Sequence, residues 1–362
     1  MRIAVLGGGN GSFAAAADLA LAGHEVRLWR RDPAAVAAHI VAGGHITVLD
    51  TAGIHEAVPK LITGDLGTAV HRAELILCPT PATAQPDIAQ RLAPLLQDGQ
   101  VVCLPPGTLG SVLMARTLRD HRPGARVAFA ETGTLPWLVH KRGPQEIAIT
   151  IRARRLPTGV FPLILAPQAL AVIRAAFPDS IEDCGDALSA ALMNAGPIIH
   201  PPLIVMNAGP LEHFPKWDIH NEGTQPAIRR TTDALDLERI AIRGALGYGP
   251  PHFPLAHHYA TEGEEWMYGH RSHDRLTESG DWRERIHLTE HRYMMEDTRL
   301  GLSLLISAAQ LAGVDVPLCR GFSAIGAAIR GEAPDHAGRR LADVGLGGLD
   351  RPALRKVLRD GF

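Results

Sequence analysis

The chain has 362 residues, a length typical of two domains. Apolar residues make up 46% of it and charged residues 20%, and 36 Lys and Arg nearly balance 38 Asp and Glu. This composition excludes a disordered, collagen-like or coiled-coil chain and provides no broad basic surface for nucleic acid. Four cysteines without a Cys-x-x-Cys pair favour reduced thiols and a cytoplasmic protein over a disulfide framework.

The N-terminus begins with Met1-Arg2 and an apolar run that resembles a signal peptide. Glycines at 7–9 and a charge at Asp18 interrupt that run, so no targeting segment is expected. No stretch of 18 uncharged apolar residues occurs, so no membrane span is expected either.

Short apolar strands alternate with helices over the first half of the chain. The pattern predicts strands at 3–6, 25–29, 75–78, 100–104, 127–130 and 147–152, and helices at 11–22 and 33–41. Strands that alternate with crossover helices form a parallel sheet, so residues 1–183 are predicted to be a doubly wound α/β domain.

Long apolar helices replace this pattern in the second half. They are predicted at 186–196, 234–246 and 298–312, whereas 248–290 is polar and rich in histidine and glycine, with few periodic signals. Residues 184–362 are therefore predicted to be a second, mainly α-helical domain.

A glycine-rich turn joins the first predicted strand to the first helix. The segment Gly7-Gly8-Gly9-Asn10-Gly11-Ser12 stands where a dinucleotide-binding fingerprint requires it. Gly7 permits the tight turn, Gly9 lets a pyrophosphate approach the helix N-terminus, and Ser12 replaces the third glycine of G-x-G-x-x-G. We expect a dinucleotide to bind at Gly7, Gly9, Asn10, Gly11 and Ser12.

The end of the second strand selects between the two nicotinamide cofactors. NAD sites usually carry an acid there, which binds the ribose 2′-hydroxyl. Here the strand runs into Arg30-Arg31-Asp32, and arginine suits the 2′-phosphate of NADP. NADP is therefore favoured, with Arg30 and Arg31 as its ligands. In the alternative, both arginines are solvated and Asp32 either holds the hydroxyl or caps the next helix.

Two proline-containing loops follow later strands of the predicted sheet, at 78–81 and 105–108. Ligands of open α/β sheets bind at the carboxyl ends of the strands, so Pro79 and Thr80 are expected to contact the cofactor. Ordinary turn chemistry would also account for the prolines.

His200 stands out among the 18 histidines because its surroundings are strongly apolar. Gly196-Pro197 is expected to interrupt a helix there, and Pro201 to push His200 out of the α conformation toward a cleft. Hydride transfer to C=O or C=N needs a proton donor near neutral pH, which imidazole supplies. His200 is thus a candidate acid/base, although a hydrogen-bonded core histidine would show the same pattern.

A second polar cluster, at 291–297, precedes an apolar helix. Asp297 is either the N-cap of that helix or a carboxylate that orients an imidazole and stabilises its protonated form. Arg292 is a candidate for binding a carboxylate or the cofactor pyrophosphate.

The remaining histidines of interest lie in the polar stretch. Their spacing matches no zinc-binding helix and no acid is placed with them, so we expect solvated loop residues and no metal at His257, His258, His270, His273 and His287.

Together these motifs resemble the octopine/nopaline (opine) dehydrogenase family over nearly the full chain. The most specific part is 194–209, with His200-Pro201-Pro202 at its centre. Ser12 and Arg30 depart from the family's pattern, which has a glycine and, in NAD-using members, an acid at these positions. The other resembling segments are 3–11, 78–81, 104–110, 130–132 and Arg292-Tyr293-x-x-Glu296-Asp297 followed by Gly301-Leu302.

The resemblance implies a Rossmann domain followed by a helical domain, with the active site between them. It implies a catalytic His–Asp pair, which falls on His200 and Asp297, and an arginine that reaches the cofactor or substrate, which falls on Arg292. Asn194 and Thr132 are expected to contact the substrate.

The implied activity is the reductive condensation of an α-keto acid with an amino acid, and the reverse oxidation. An imine forms between the two, and NADP(H), or else NAD(H), carries the hydride. The expected partners are these small molecules, without nucleic acid or membrane, for a monomer or homodimer.

Two alternatives remain open. The first is a simple 2-keto or 2-hydroxy acid reductase of the ketopantoate reductase or glycerol-3-phosphate dehydrogenase type. Such enzymes usually depend on a catalytic lysine, and none of the four lysines lies near Asn194. The second is a nucleotide-binding sensor without catalysis.

Overall fold

Strands and helices alternate in the first half of the computed structural model, and helices dominate the second half; it describes residues 1–333 and 338–362. The strands are β1 (Arg2–Leu6), β2 (Glu25–Trp29), β3 (Ile46–Asp50), β4 (Gly53–Ala57), β5 (Leu61–Thr63), β6 (Leu75–Leu77), β7 (Val101–Leu104), β8 (Ala128–Thr132), β9 (Trp137–Lys141), β10 (Glu146–Arg152), β11 (Leu156–Phe161), β12 (Ile181–Asp186), β13 (Trp217–Asp218) and β14 (Arg283–Glu284). The helices are α1 (Asn10–Leu21), α2 (Pro33–Val41), α3 (Leu66–Val70), α4 (Gln85–Leu92), α5 (Gly110–His121), α6 (Ala166–Ala176), α7 (Ala187–Ala191), α8 (Gly196–Met206), α9 (Ala208–His213), α10 (Pro226–Ala245), α11 (Ser272–Glu278), α12 (Leu302–Ala312), α13 (Pro317–Ile329) and α14 (Arg351–Asp360). A π-helix, Tyr293–Gly301, runs directly into α12.

The main sheet has eight strands in the order β12-β11-β8-β7-β6-β1-β2-β5. All neighbouring pairs are parallel except β8 with β11. The predicted doubly wound sheet followed by a helical part is thereby confirmed. The strand order reverses on the two sides of β1, which pairs with β2 and with β6. That reversal opens a crevice at the carboxyl end of β1, where the glycine turn lies.

A second sheet, in the order β4-β3-β10-β9, was not expected from the sequence. It packs on α1 and is tied to it by Asp18. The carboxylate of Asp18 accepts hydrogen bonds from the indole N–H of Trp137 at 2.7 Å and from Arg152 at 2.7 Å. Apolar alternation identified the strand at 147–152 but could not say which sheet it joins, because pairing depends on distant residues.

The transition between the two halves follows Asp186. The predicted boundary at 183/184 lies within β12, which pairs with β11 as far as Asp186. The carboxylate of Asp186 then accepts from the backbone N–H of Ser189 at 2.9 Å and caps α7. The helix predicted at 186–196 is therefore only five residues long, and a turn separates it from α8.

Helix α8 contains His200, so the expectation that Pro201 pushes His200 out of the α conformation is wrong. Gly196-Pro197 begins the helix instead of breaking it, since proline fits the first turn. Packing against α10, α13 and the π-helix outweighs the preference of a residue before proline. Within the described residues, Ala187–Met206 is the helical stretch apolar and long enough to cross a membrane, and 83% of its most apolar window is buried inside the protein.

The π-helix crosses α8 closely because two glycines face the contact. A Cβ added to Gly301 would clash with the ring of Pro197, and one added to Gly196 would clash with the carboxylate of Asp297. The backbones of α8 and the π-helix can therefore approach more closely than larger residues would permit.

Substitution of Gly301 tests this crossing. Gly301→Ala should lower the free energy of unfolding by about 1–2 kcal/mol, because the methyl group overpacks the contact with Pro197. Gly244→Ala is the matched control: Gly244 is an exposed helical glycine with open space around it, and alanine there should be neutral or stabilise by up to about 1 kcal/mol. Urea unfolding of both variants gives the comparison, and equal effects would contradict the proposed role of the crossing.

Candidate active site

His200 and Asp297 are brought together by the crossing of α8 and the π-helix. The imidazole Nδ1 lies 2.7 Å from the carboxylate Oδ2 of Asp297. Both side chains are buried, with 8% and 5% of their surfaces exposed. An Nδ1–H donated to the carboxylate fixes the ring tautomer and leaves Nε2 to exchange protons. Nε2 makes no hydrogen bond with any residue that the structure describes.

Burial sets the electrostatics of this pair. It lowers the pKa of His200, because it penalises the imidazolium, and raises the pKa of Asp297 to about 7, because it penalises the carboxylate. The positive charge of Arg292 lowers both pKa values. Burial thus shifts both pKa values toward the neutral forms, and two such groups that share a hydrogen bond are suited to proton transfer.

Tyr293 fixes the plane of the His200 ring. Its phenol stacks on His200 with 3.6 Å between ring centroids and an interplanar angle of 13°. The phenol oxygen of Tyr293 lies 3.2 Å from Nε2 of His220, which holds the phenol in turn. Tyr293 belongs to the motif at 292–297, but its residue type and position alone did not indicate this role.

Arg292 carries an exposed side chain beside the pair. Within residues 1–333 and 338–362, its guanidinium makes no hydrogen bond or salt bridge, and it lies 5.4 Å from the centroid of the Tyr293 ring. Its charge nevertheless acts on His200, Asp297 and His220. An accessible guanidinium without a counterion is suited to bind a carboxylate or a phosphate.

Asn194 joins the floor of the site to the main sheet. Its Nδ2 donates to the hydroxyl of Thr108 at 3.1 Å, and its Oδ1 accepts from the backbone N–H of Gly196. Thr132, at the end of β8, is buried and donates its hydroxyl hydrogen to the carbonyl of Thr134 at 2.6 Å. Both predicted substrate residues therefore lie near the start of α8, and Thr108 is an additional residue there.

The glycine turn has the geometry of a phosphate-binding turn. Gly7 has φ +118°, and an added Cβ would lie 2.6 Å from the hydroxyl oxygen of Ser12. That hydroxyl donates to the carbonyl of Leu6 at 3.1 Å, so serine packs here without harm. Nothing lies within 4 Å of an added Cβ at Gly9, which leaves open space before the N–H groups of α1. Asn10 accepts from the backbone of Lys141 at 3.3 Å.

The loop at Pro79 and Thr80 contacts the glycine turn. An added Cβ at Gly7 would lie 3.0 Å from the Thr80 methyl group, and one at Gly11 would lie 3.2 Å from Pro79 Cβ. These residues thus stand beside the crevice, as expected for strand ends on both sides of β1.

Two cations meet beside the turn. The guanidinium of Arg30 lies 5.4 Å and the ammonium of Lys141 3.7 Å from the ring centroid of Phe13. Burial lowers the pKa of Lys141, and the charge of Arg30 lowers it further. Lys141 was missed from the sequence, because it comes from β9 of the unexpected sheet.

The other polar residues at the end of β2 face different partners. The carboxylate of Asp32 accepts from the backbone N–H of Ala34 at 2.9 Å and caps α2. Arg31 is exposed, with a nitrogen 3.9 Å from the carboxylate of Asp87.

A polar clamp connects the π-helix to the cofactor side of the crevice. The backbone N–H of Ala82 donates to Oε1 of Glu296 at 2.9 Å, and the carbonyl of Ala82 accepts from the buried Arg339 at 2.8 Å. Arg339 also donates to the side chain of Gln85. Neither Glu296 nor Arg339 was assigned a role from the sequence, since both act through residues more than 200 positions away.

The histidines of the polar stretch are not all solvated, which corrects the expectation for His258. This ring is 3% exposed, and its Nδ1 lies 2.8 Å from the hydroxyl of Ser272. His257 and His273 are half-buried, and His287 is exposed. Packing of α11 against this segment buries His258, which periodicity alone could not indicate.

Two parts of the chain match two different family models. Residues 183–330 match the family model described as NAD/NADP octopine/nopaline dehydrogenase, alpha-helical domain. Residues 2–107 match the model for the NAD-dependent glycerol-3-phosphate dehydrogenase N-terminus.

Known relatives match the whole chain. It is 26% identical to an opine dehydrogenase of Arthrobacter sp. (strain 1C) and 27% identical to a vitopine synthase of Allorhizobium ampelinum, over 98% and 96% of both chains respectively. The structure of an octopine dehydrogenase in complex with NADH and agmatine superposes with a TM-score of 0.70 at 19% identity, over 99% of this chain and 97% of that one. That structural similarity shows a shared fold.

Glu296 provides a pH-dependent test of the clamp. Burial and, to a smaller extent, the charge of neighbouring Asp297 raise its pKa to about 7. In the unfolded chain a glutamate titrates near ~4.3, so folding favours the protonated form and stability is lost as pH rises between these two values. Glu296→Gln keeps an oxygen acceptor but no charge. It should exceed the parent protein in free energy of unfolding by about 1–2 kcal/mol at pH 8, and by less at pH 5. A difference independent of pH in urea unfolding would refute this account.

Proposed function

Because this chain belongs to the octopine/nopaline dehydrogenase family, we propose that it is an NAD(P)-dependent opine dehydrogenase that joins an α-keto acid to an amino acid. The amine adds to the keto carbonyl, water leaves, and the resulting imine is reduced to an N-(carboxyalkyl) amino acid. The bound nicotinamide supplies the hydride.

The observation that carries this proposal is the His200–Asp297 pair beside an uncompensated arginine. Loss of water from the amine adduct requires a proton on the departing oxygen, and the reverse oxidation requires a base. His200 gives or takes that proton through Nε2, while Asp297 holds Nδ1 and stabilises the imidazolium.

Arg292 holds a carboxylate of the substrate or the pyrophosphate of the cofactor. Its accessible guanidinium beside His200 supports both roles, because each brings an anion to the unpaired cation. Asn194 and Thr132 would orient the keto acid. Their positions near the start of α8 support this assignment.

The turn residues Gly7, Gly9, Asn10, Gly11 and Ser12 would hold the cofactor pyrophosphate, with Pro79 and Thr80 beside it. NADP is the preferred cofactor in this proposal. Arg30 and Lys141 leave two cations beside the turn, whereas the carboxylate of Asp32 is already used to cap α2. Arg31 would contribute from the exposed side. A cytoplasmic location and a monomeric or homodimeric state stay predictions.

A simple keto acid reductase is the second candidate. The family model for the glycerol-3-phosphate dehydrogenase N-terminus matches residues 2–107, the part proposed to hold the dinucleotide. The helical part, which carries the catalytic pair, matches the octopine/nopaline type instead. A nucleotide-binding sensor without catalysis would not need the buried His200–Asp297 pair for proton transfer.

Cofactor oxidation tests the proposed activity directly. Absorbance of NADPH and of NADH is followed with pyruvate alone, then with pyruvate plus a pool of amino acids. We expect oxidation only when both partners are present, because the imine is the hydride acceptor. Oxidation with pyruvate alone would establish the simple reductase instead. If pyruvate fails, other keto acids are tested before a sensor is inferred.

Removal of the imidazole tests the proton-transfer role. His200→Ala should lower turnover by at least about 100-fold and leave the affinity for the cofactor nearly unchanged. His213→Ala, at an exposed histidine of α9, is the control and should retain full turnover. Near-normal turnover of the His200 variant would overturn the assignment.

Substitution of Arg30 tests cofactor selection. Arg30→Gln should raise the KM for NADPH by about 10-fold or more, because a charge-assisted hydrogen bond to the 2′-phosphate is lost. The KM for NADH, measured on the same preparation, should change little and is the internal control. Equal changes for both cofactors would indicate a structural role for Arg30 in place of selection.

A further inference from the structure

A cavity of about 270 Å³ is lined by residues that have no proposed role in catalysis or cofactor binding. It is enclosed by β12, α7 and the turn after α10. Its walls include Cys184, Ser189, Met193, Arg243 and Tyr248. The volume is close to the lower limit for small-molecule sites, so its occupant is a small metabolite or ion.

Arg243 is the unusual feature of this cavity. Its side chain is almost fully buried, with 1% exposed. Nε donates to Nδ1 of His252 at 3.2 Å, and Nη1 donates to the carbonyl of Ser189 at 2.6 Å. Among the described residues Nη2 has no hydrogen-bond partner. Nε and Nη1 both point toward acceptors of the protein, so Nη2 is the nitrogen that remains to face the cavity.

The acids around Arg243 are already engaged elsewhere. The carboxylate of Asp186 accepts from the hydroxyl of Tyr248 at 2.8 Å and from the backbone of Ser189, and it forms no salt bridge with Arg243. On the rim of the cavity, Glu182 is bound to Arg155 at 2.5 Å and 3.0 Å. The exposed carboxylate of Asp183 also lines the cavity and accepts from the backbone N–H of Gly185 at 2.9 Å.

The positive charge of Arg243 is therefore buried without a carboxylate at salt-bridge distance among the described residues, although the charge of Asp186 acts on it from farther away. Burial and the neighbouring Arg239 lower its pKa to about 10, so the guanidinium remains charged at neutral pH. Arg239 cannot relieve it, because it is itself a cation and pairs with Asp236 at 2.6 Å. A buried charge without a partner is strongly unfavourable, and an anion in the cavity would relieve it.

We propose that this cavity is a second binding site, for a small oxyanion such as a carboxylate or phosphate group held by Nη2 of Arg243. Guanidinium groups bind both oxyanions through directed hydrogen bonds. The ring of Tyr248, 5.4 Å from the guanidinium, covers one side of the bound group. Met193 forms part of the cavity wall, and the next residue in the chain, Asn194, lies at the floor of the active site. The two sites are therefore adjacent along the chain.

The test is thermal unfolding in the presence of inorganic phosphate or acetate, at an ionic strength held constant with chloride. A ligand that binds only the folded protein raises Tm, and above its Kd the rise grows with the logarithm of its concentration. We expect such a rise with at least one of the two anions, and the more effective anion identifies phosphate or carboxylate as the natural group.

A cysteine variant distinguishes this site from the active site. Cys184 lines the cavity, and the charge of Arg243 lowers the pKa of its thiol against the effect of burial, so the two groups are close. Cys184→Asp places a carboxylate beside Arg243 and should abolish the Arg243-dependent rise in Tm. Cys184→Asn has the same size without the charge and should keep it. The catalytic residues are unchanged in both, so any rise caused by anions in the active site persists in both.

Two results would overturn the proposal. One is a concentration-dependent rise in Cys184→Asp equal to that of the parent protein, which would place the anion elsewhere. The other is no rise in Tm with either anion at constant ionic strength. Should Cys184→Asp fail to fold, calorimetric titration of Arg243→Gln with phosphate and acetate replaces it. Gln retains a donor toward Ser189 but no charge, and binding as tight as in the parent protein would equally exclude the site.

Discussion

The close approach of α8 and the π-helix is the constraint on which the candidate active site depends. Gly301 admits Pro197, and Gly196 admits the carboxylate of Asp297. At this separation His200 reaches Asp297 at 2.7 Å. Hydrogen bonds in a π-helix join residues five apart, so residues separated by four or five positions share a face. Arg292 immediately precedes the π-helix and stands five positions before Asp297, so the two residues share a face.

The two halves of the chain meet through polar contacts made by the same elements. Glu296 receives the backbone N–H of Ala82, and Asn194 donates to Thr108. Ala82 and Thr108 both belong to loops at the carboxyl ends of strands in the main sheet. The catalytic helix is thus positioned relative to the cofactor crevice by hydrogen bonds that cross between the domains, and those bonds are buried or half-buried.

Local patterns in the sequence predicted much of this arrangement. The glycine turn follows a strand and begins a helix, because Gly7 adopts φ +118° and Gly9 leaves open space before α1. The pairing of His200 with Asp297 was implied by the family resemblance, and the structure brings these two residues into contact. These features depend on short segments in which the residue types themselves determine the local conformation or form a recognisable motif.

The remaining features depend on contacts between distant segments. Lys141 reaches Phe13 only because β9 joins a second sheet that packs on α1. His258 is buried by α11, and Pro201 is accommodated inside α8 by the packing around it. Periodicity and local conformational preference carry no information about such neighbours. Tertiary packing therefore overrode the expectations for His258 and for Pro201, and the sequence did not indicate Lys141.

The room left by Gly196 also limits how this enzyme can diversify. Asp297 already fills the space that a side chain at Gly196 would take, so neither partner can be enlarged without separating the helices. The His200–Asp297 pair is therefore set by the backbone rather than by the choice of neighbouring side chains. Substitutions outside α8 and the π-helix leave the crossing intact, whereas any enlargement at Gly196 or Gly301 changes the distance between the two side chains.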